Sequence, residues 1–331
     1  MPGSGLRRGI VAVAIMPCAA LTLLVSAAWA VDWPTKPVKV IVAYSAGGAN
    51  DLVARTFGDR LSESFGQQFV VENRTGGGGL IGSEAVARAD PDGYTLMTSG
   101  MPSHVIAPAM NPARFDPVRD FTHIAYFGGP PNVFVVHASL PVSSFKELIE
   151  FARSKPDGVE YASPNVGSVG NMVAEYVAAK EHLKLNHVTY RGGGAAILDV
   201  VAGHVKVASM TLSTTLQHIR AGSLRPVAVS SAQRVPELPD TPTLAELGYP
   251  DLVVTTWYSL SGPKGIAKDV VDRLNREVNK AMDDPKVKSH LAQETVQTRP
   301  MSPAEFTAFM TAEVEKWTPT IKAMSAAAKA K

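Results

Sequence analysis

Short apolar runs alternate with segments of helical periodicity along almost the whole chain. The first three runs, each followed by a loop of small residues, are Val38–Tyr44, Gln68–Asn73 and Thr95–Ser99. Apolar runs of this length, separated by helix-period segments, predict parallel strands joined by crossover helices. Ligands of such folds bind at the carboxyl ends of the strands, where glycine lets backbone amides approach an anion. The pattern therefore predicts an anion-binding crevice.

The same alternation continues beyond residue 120. The further predicted strands are Phe121–Phe127, Asn132–His137, Val159–Ser163, Asn186–Tyr190, Val205–Met210 and Leu224–Ser230. The capping boxes Ser144–Glu147 and Ser302–Glu305 predict helix starts, and helical spacing predicts helices over Ala195–Ala202, Thr214–Ala221 and Lys268–Asp283. This order of elements predicts an α/β fold.

Two apolar stretches, Val133–Val136 and Leu252–Leu260, flank the middle of the chain beside Pro/Gly-rich segments. We interpret them as strands that cross between two domains, each a sheet flanked by helices. The first domain would then comprise residues 31–132 and 257–331, and the second residues 133–256. The ligand cleft is expected between them.

The amino-terminal segment has the features of a secretory signal. Arg7 and Arg8 precede an uncharged apolar stretch, Ile10–Ala28. Ala28-Trp29-Ala30 then has small residues at the two positions that a signal peptidase recognises. A membrane anchor is the alternative, but the basic flank and the cleavage pattern favour removal near Ala30 and export to the periplasm. Cys18, the only cysteine, lies in this segment, so the mature chain offers no thiol chemistry.

Charge and motifs argue against several functional classes. The chain has 32 Lys and Arg against 30 Asp and Glu, and removal of Arg7 and Arg8 makes the counts equal, so nothing indicates a nucleic-acid partner. The eight histidines form no recognisable metal set, and no metal or cofactor is predicted. Gly77–Gly82 matches G-x-G-x-x-G, but no Walker lysine follows, and no G-x-S-x-G motif surrounds Ser168. The sequence predicts a protein that is not an enzyme.

Several ordered motifs resemble the Bug family, the periplasmic solute receptors of tripartite tricarboxylate transporters. They include Trp33–Val38, Ala46–Asp51, Val70–Arg74, Asp90–Leu96, Tyr190–Gly192 and Pro239–Thr243. The resemblance covers essentially the whole mature chain. It implies a two-domain periplasmic-binding-protein clamshell of type II, which closes on a small carboxylate-bearing solute and delivers it to the permease subunits of the transporter.

The resemblance also implies where the solute binds. In relatives, the loop after the first strand and a facing loop of the second domain hold a carboxylate through main-chain amides, hydroxyls and water; here these loops are Tyr44–Asp51 and Ser163–Ser168. With the adjoining strand ends, the expected ligand-binding residues are Tyr44, Ser45, Ala46, Gly47, Gly48, Ala49, Asn50, Asp51, Arg74, Ser99, Gly100, Met101, Ser163, Asn165, Gly167, Ser168, Tyr190, Arg191 and Trp257.

Some of these residues have competing interpretations. Asp51 is expected to orient its loop rather than to touch an anion. Arg74 and Arg191 either pair with a second carboxylate of the ligand or are solvated. Trp257 either lines the ligand site or packs in the core. Asn165 stands where relatives commonly have glycine, so no relative fixes the identity of the ligand.

Nothing in the sequence indicates an obligate oligomer, and a monomer is expected. Two alternative functions stay open. One is a solute sensor that presents its closed form to a membrane signalling partner. The other is a periplasmic hydrolase with an unrecognised site.

Overall fold

We describe a computed structural model of the chain, which covers residue 1, residues 32–190 and residues 192–329. The predicted signal segment, apart from Met1, and Arg191 lie outside the described residues. Residues 1–33 cluster separately, and residues 34–331 form one compact unit that carries every element below. No helix in the described part of the chain is both long and apolar enough to span a membrane.

In the described part of the chain, ten strands form two five-stranded sheets. The first sheet has the order β2-β1-β3-β10-β4, and its strands are β1 (Val38–Val42), β2 (Phe69–Asn73), β3 (Thr95–Gly100), β4 (Phe121–Gly128) and β10 (Tyr258–Pro263). The second has the order β7-β6-β8-β5-β9, and its strands are β5 (Asn132–His137), β6 (Val159–Ser163), β7 (Leu185–Thr189), β8 (Val207–Thr211) and β9 (Leu224–Val229). We call each sheet with its flanking helices a lobe.

The helices follow the alternation that the sequence predicts. In the first lobe they are α1 (Ala49–Phe65), α2 (Leu80–Ala87), α3 (Ala107–Met110), α8 (Lys268–Ala281), α9 (Pro285–Gln293) and α10 (Pro303–Lys329). In the second they are α4 (Phe145–Arg153), α5 (Val169–Glu181), α6 (Gly193–Val201) and α7 (Leu212–Arg220). Both predicted helix starts are confirmed, because Ser144 Oγ accepts from Glu147 N and Ser302 Oγ accepts from Glu305 N, each at 3.2 Å. The box at Ser302 is complete, since Glu305 accepts from Ser302 N, whereas Glu147 accepts from Ser143 N, one residue before the cap.

The two sheets have the same plan. In the first, β1 pairs in parallel with β2 and β3, and β10 inserts antiparallel between β3 and β4. In the second, β6 pairs in parallel with β7 and β8, and β5 lies antiparallel between β8 and β9. The predicted fold class, two mixed sheets flanked by helices, is confirmed.

The chain passes between the lobes twice, and the two passages touch. Pro131 and Thr255 form an antiparallel bridge, and Thr256 N donates to Pro130 O at 2.9 Å. A Cβ on Gly129 would overlap the backbone of Thr256 and Trp257, so only glycine allows this approach. The prediction of one crossing strand over Leu252–Leu260 is corrected here, because β10 begins only at Tyr258.

The largest buried cluster joins both lobes. It includes Trp257, Phe306 and Trp317 from the carboxyl-terminal part of the chain together with Val136 and Val173 of the second lobe. Trp257 packs edge-on against Phe306 at a centroid distance of 6.4 Å. Helix α10 therefore contributes to a core that includes residues of both lobes.

Candidate functional site

A cavity of about 640 Å³ lies between the lobes, at the carboxyl ends of the parallel strands. Four helices begin at this cavity, because α1, α5, α6 and α7 each start within a few residues of the end of a parallel strand. Its described lining residues lie at positions 44, 47–50, 52, 77–78, 102, 107, 110–111, 132, 164–170, 193–194, 211, 213–214, 256, 258 and 294.

The loop between β1 and α1 is tightened by its own aspartate. Asp51 is only 2% exposed, and its carboxylate accepts hydrogen bonds from Gly47 N at 2.9 Å, from Arg55 at 3.0 Å and from Asn73 Nδ2 at 2.9 Å. Gly47 takes a φ of 79°, which glycine adopts readily. The expectation that the Gly47 amide donates to a ligand is therefore corrected, since this amide is bonded to Asp51.

Electrostatics favour the ionised form of Asp51. Burial raises the pKa of its carboxyl, but hydrogen bonds from Arg55, from Gly47 N and from Asn73 outweigh burial, so the pKa lies below its usual value of 3.8. By accepting these hydrogen bonds, the buried Asp51 carboxylate fixes the conformation of the loop between β1 and α1. This geometry agrees with the expected role of Asp51 in orienting the loop.

The loop between β6 and α5 repeats the arrangement in the second lobe. Gly167 takes a φ of 80°, and its N–H donates to Asn171 Oδ1 at 3.1 Å, four residues along as in the first lobe. Ser168 caps α5, since its Oγ accepts from Asn171 N at 3.2 Å and donates to Asn165 O at 2.8 Å. The Ser168 hydroxyl is thus already engaged by its own loop.

Several amides at the helix starts around the cavity have no acceptor in the described part of the chain, although Ser168 N itself donates to Asn165 O at 3.2 Å. Backbone N–H groups in the first turn of a helix lack intrahelical partners. At the cavity these are the amides of Ala49, Asn50, Val169, Gly170, Gly193, Gly194, Ser213 and Thr214. Four helix starts from two lobes therefore direct free donors and partial positive charge into one space.

Two buried side chains add unpaired polar groups to the lining. Asn50 is 7% exposed; its Oδ1 accepts from Thr98 Oγ1 at 2.6 Å, whereas its Nδ2 has no partner among the described residues. Asn132 is 1% exposed; its Nδ2 donates to Ser209 Oγ at 2.7 Å, and its Oδ1 lacks a partner within the same described ranges. Unpaired buried polar groups are costly, and both atoms are almost fully enclosed by protein in this structure.

The lining carries little formal charge. Among its described residues none is Lys, Arg or His, and Glu294 is the single acidic residue. Burial raises the pKa of the Glu294 carboxyl, and it also raises the pKa of Tyr44 and of Tyr258. Within residues 32–190 and 192–329, no three His, Cys, Asp or Glu side chains are grouped as a metal ion would require. The described lining therefore offers neutral donors and no cation.

Eight of the residues expected from the sequence line the cavity: Tyr44, Gly47, Gly48, Ala49, Asn50, Asn165, Gly167 and Ser168. Ser45 and Ala46 belong to the same loop but do not line the cavity, and Asp51 lies beneath it. The structure says nothing of Arg191, which lies outside the described residues.

The strand-end residues of the first lobe lie elsewhere. Arg74 Nε pairs with Glu72 Oε1 at 2.6 Å on the surface, which fits its solvated interpretation. Ser99 is fully buried, with its Oγ 2.6 Å from Ser259 Oγ, because β3 pairs with β10. Gly100 continues this pairing, and Met101 is buried in the core. The expectation that these residues wall the cleft is corrected by their pairing and burial.

The remaining expected residues also have partners away from the cavity. Trp257 is 1% exposed, and its Nε1 donates to Glu313 at 3.0 Å. This agrees with the interpretation that Trp257 packs in the core. Tyr190 donates to Asp199 at 2.9 Å, and Ser163 is fully buried with its Oγ 2.7 Å from His187 Nε2. Side-chain packing gives each of these residues a structural role.

Sequence reasoning missed part of the lining. Four glycines that follow strands also line the cavity, and their position after a strand could have predicted this: Gly77, Gly78, Gly193 and Gly194. Ser213 and Thr214 closely follow β8 and carried the same signal. Asn132, Thr256, Tyr258 and Glu294 carried no signal, because only the antiparallel insertion of β5 and β10 and the turn after α9 bring them to the cavity.

We expect Asp51→Asn to lower the free energy of unfolding at pH 7 by about 1–3 kcal/mol, because the loop loses charge-assisted hydrogen bonds. The folded pKa lies below that of an unfolded aspartate, so this contribution is present above about pH 4 and is lost as the pH falls below it. Urea unfolding at pH 7 and pH 3 measures the difference. Asp59→Asn, on the exposed side of α1, is the control; equal effects of the two variants would contradict the prediction.

Comparisons with known proteins agree with this geometry. A family model described as the tripartite tricarboxylate transporter family receptor matches residues 53–326. The chain is 35% identical to a UPF0065 protein from the tcbD-tcbE intergenic region of Pseudomonas sp. strain P51, across 95% of this chain and 93% of that protein. It is 31% identical to protein BugT of Bordetella pertussis, across 88% of this chain and 90% of BugT.

A solved structure has the same fold. R. palustris Rpa4515 with adipate has a TM-score of 0.79 and 30% identity, across 89% of this chain and 99% of that chain. Receptors of this family are periplasmic and bind solutes. The resemblance to the Bug family is confirmed, and the chain belongs to the receptors of the tripartite tricarboxylate transporter family.

Proposed function

We propose that this receptor binds a small carboxylate-bearing solute between its lobes and delivers it to the permease of a tripartite tricarboxylate transporter. One observation carries the proposal: the starts of α1, α5, α6 and α7 direct unpaired amides into a single cavity. A carboxylate accepts several hydrogen bonds at once, and helix starts favour an anion. The adipate in Rpa4515, a relative with the same fold, supports this ligand class.

We further propose the residues that hold the carboxylate. Ala49 and Asn50 would donate from the first lobe, and Val169 and Gly170 from the second, while the Asn50 side chain would add its unpaired Nδ2. Asp51 and Asn171 would act indirectly, by fixing the two loops from inside. Both lobes then contact one ligand, so binding favours the closed state.

The domain boundaries predicted from the sequence are part of this proposal. Strands β1 to β4 and β10 belong to residues 31–132 and 257–331, and β6 to β9 belong to residues 133–256. The touching passages at Pro131 and Thr255 are a suitable hinge, because a bridge between two short segments can flex without breaking either sheet.

We also propose that the protein works as a periplasmic monomer after removal of residues 1–30, and that it has no catalytic activity. Ser163 and His187 are 2.7 Å apart, a pairing that a hydrolase would use. Ser163 is fully buried and does not line the cavity between the lobes, so this pair supports a structural role. A solute sensor would use the same cavity, and uptake measurements with a permease deletion would distinguish it from a transport receptor.

Thermal unfolding of the mature protein with a panel of carboxylates tests the proposal. A ligand present at a hundred times its Kd adds about 2.7 kcal/mol to the free energy of unfolding, which raises the Tm by several degrees. We expect a shift with one class of carboxylates and recovery of the unchanged compound afterwards. Conversion of the compound would indicate an enzyme instead, and no shift with any carboxylate would contradict the proposal.

A further inference from the structure

Glu294 is an unexpected residue in a cavity that would bind an anion. It is the single acidic residue among the described lining residues, and none of the others is Lys, Arg or His. A carboxylate that lies close to a second carboxylate raises the free energy of the ionised pair. The amides at the helix starts suit a ligand anion, whereas Glu294 suits the opposite charge.

The backbone fixes the position of Glu294. Its N–H donates to His290 O at 3.1 Å at the end of α9, and Val296 N donates to Leu291 O at 2.8 Å just after it. Between them, Thr295 is 5% exposed and takes a φ of 50°, which a β-branched residue adopts only under strain. Gln297 then pairs with Gly129 at the passage between the lobes. Backbone hydrogen bonds before and after Glu294 therefore fix its position.

The surroundings of Glu294 come from both lobes. The Ser213 hydroxyl at the start of α7, in the second lobe, lies close enough to lower the pKa of the Glu294 carboxyl, and Tyr258 of the first lobe is close enough to interact with its charge. Burial raises the pKa of Tyr258, so this phenol stays neutral. No described cation lines the cavity to neutralise Glu294.

We propose that Glu294 determines the specificity of the site by binding an ammonium group of the solute, so that the receptor prefers amino-carboxylates to dicarboxylates. This inference rests on the proposed function, in which the helix-start amides bind the carboxylate end. The cavity then recognises both charges of one zwitterionic solute: the amides at the starts of α1 and α5 bind the anion, and Glu294 binds the cation. An ammonium gives Glu294 a charge-assisted hydrogen bond, whereas a second carboxylate gives it repulsion.

Matched pairs of solutes test this inference. Isothermal titration at pH 7 would compare 6-aminohexanoate with adipate, and 5-aminopentanoate with glutarate, so that only the far group differs. In at least one pair, the wild-type protein is expected to bind the amino-carboxylate about tenfold or more tightly than the dicarboxylate. Glu294→Gln, which keeps the shape of the side chain, is expected to remove that preference.

Glu315→Gln is the control, because Glu315 is exposed on α10 and does not line the cavity. It removes the same charge and should leave the ratio of the two affinities unchanged. The Tm of each variant without ligand checks that it is folded. Tighter binding of the dicarboxylates, or an unchanged ratio in Glu294→Gln, would overturn the inference while the proposed function stands. No binding of any of the four solutes would count against the proposed function as well.

Discussion

Gly170→Ala is expected to lower the free energy of unfolding by about 3 kcal/mol and to weaken ligand binding severely. A Cβ on Gly170 would overlap Ser209 O, would lie 2.8 Å from Ser209 C and would lie 3.1 Å from Asn132 Oδ1. Overpacking against backbone costs about 1–3 kcal/mol or more, because the backbone has no other rotamer to adopt. The added methyl group therefore forces one of two structural elements to move.

The strand is the less able of the two to move. Ser209 lies in β8, opposite Phe134 of β5, and the neighbouring Ala208 pairs with Ala162 of β6. Because β8 is held on both sides, the start of α5 must shift instead. That shift displaces the free amides of Val169 and Gly170, on which the proposed carboxylate site depends.

Gly194→Ala is the matched control for this prediction. Gly194 also lines the cavity and lies in the first turn of α6, but a Cβ there would meet nothing within 4 Å. Alanine favours helix by about 1 kcal/mol over glycine, so this variant should unfold at the same temperature as the wild type or slightly higher. Chemical denaturation of both variants measures the difference. A Gly170→Ala protein as stable as Gly194→Ala would show that α5 does not pack so tightly on β8.

The elements that depend on neighbouring residues in the sequence were predicted well. The strands that lead into α1 and α5, and the capped starts of α4 and α10, depend on neighbouring residues, and these predictions agree with the structure. The antiparallel insertion of β10 between β3 and β4 depends on residues more than 100 positions away, which periodicity cannot show. Helix α9 escaped the sequence analysis although a local signal was present, because Asp284 caps it and Pro285 occupies its first position.

The candidate site was predictable in part for the same reason. Glycine after a strand indicates a loop that approaches a ligand, and the resemblance to the Bug family implied that the loops with Gly47 and Gly167 face one another; both line the cavity. Sequence could not show that the Gly47 amide bonds to Asp51, nor that Ser99 pairs with Ser259 across the sheet. Glu294 was missed because it reaches the cavity only through the turn after α9.

Asn50→Asp is expected to weaken the binding of a carboxylate ligand about a hundredfold or more. The change is isosteric, and Oδ1 of the new side chain can still accept from Thr98 Oγ1, as Asn50 does at 2.6 Å. An acidic residue in the first turn of α1 also suits the helix dipole, so the fold should be retained. The variant replaces the unpaired Nδ2 donor by a negative charge at a buried position beside the ligand. Loss of a hydrogen bond to a charged group costs about 1.5–3 kcal/mol, and repulsion adds to it.

Asn111→Asp supplies the control, since Asn111 lines the same cavity but is exposed at its rim. Water screens an exposed charge, so this variant should change the affinity by about threefold at most. Titration calorimetry with the best carboxylate found by thermal unfolding compares both variants with the wild type. If the two variants weaken binding equally, the general charge of the cavity decides affinity. A loss confined to Asn50→Asp places the ligand carboxylate against the start of α1, which is the arrangement that the free amides there predict.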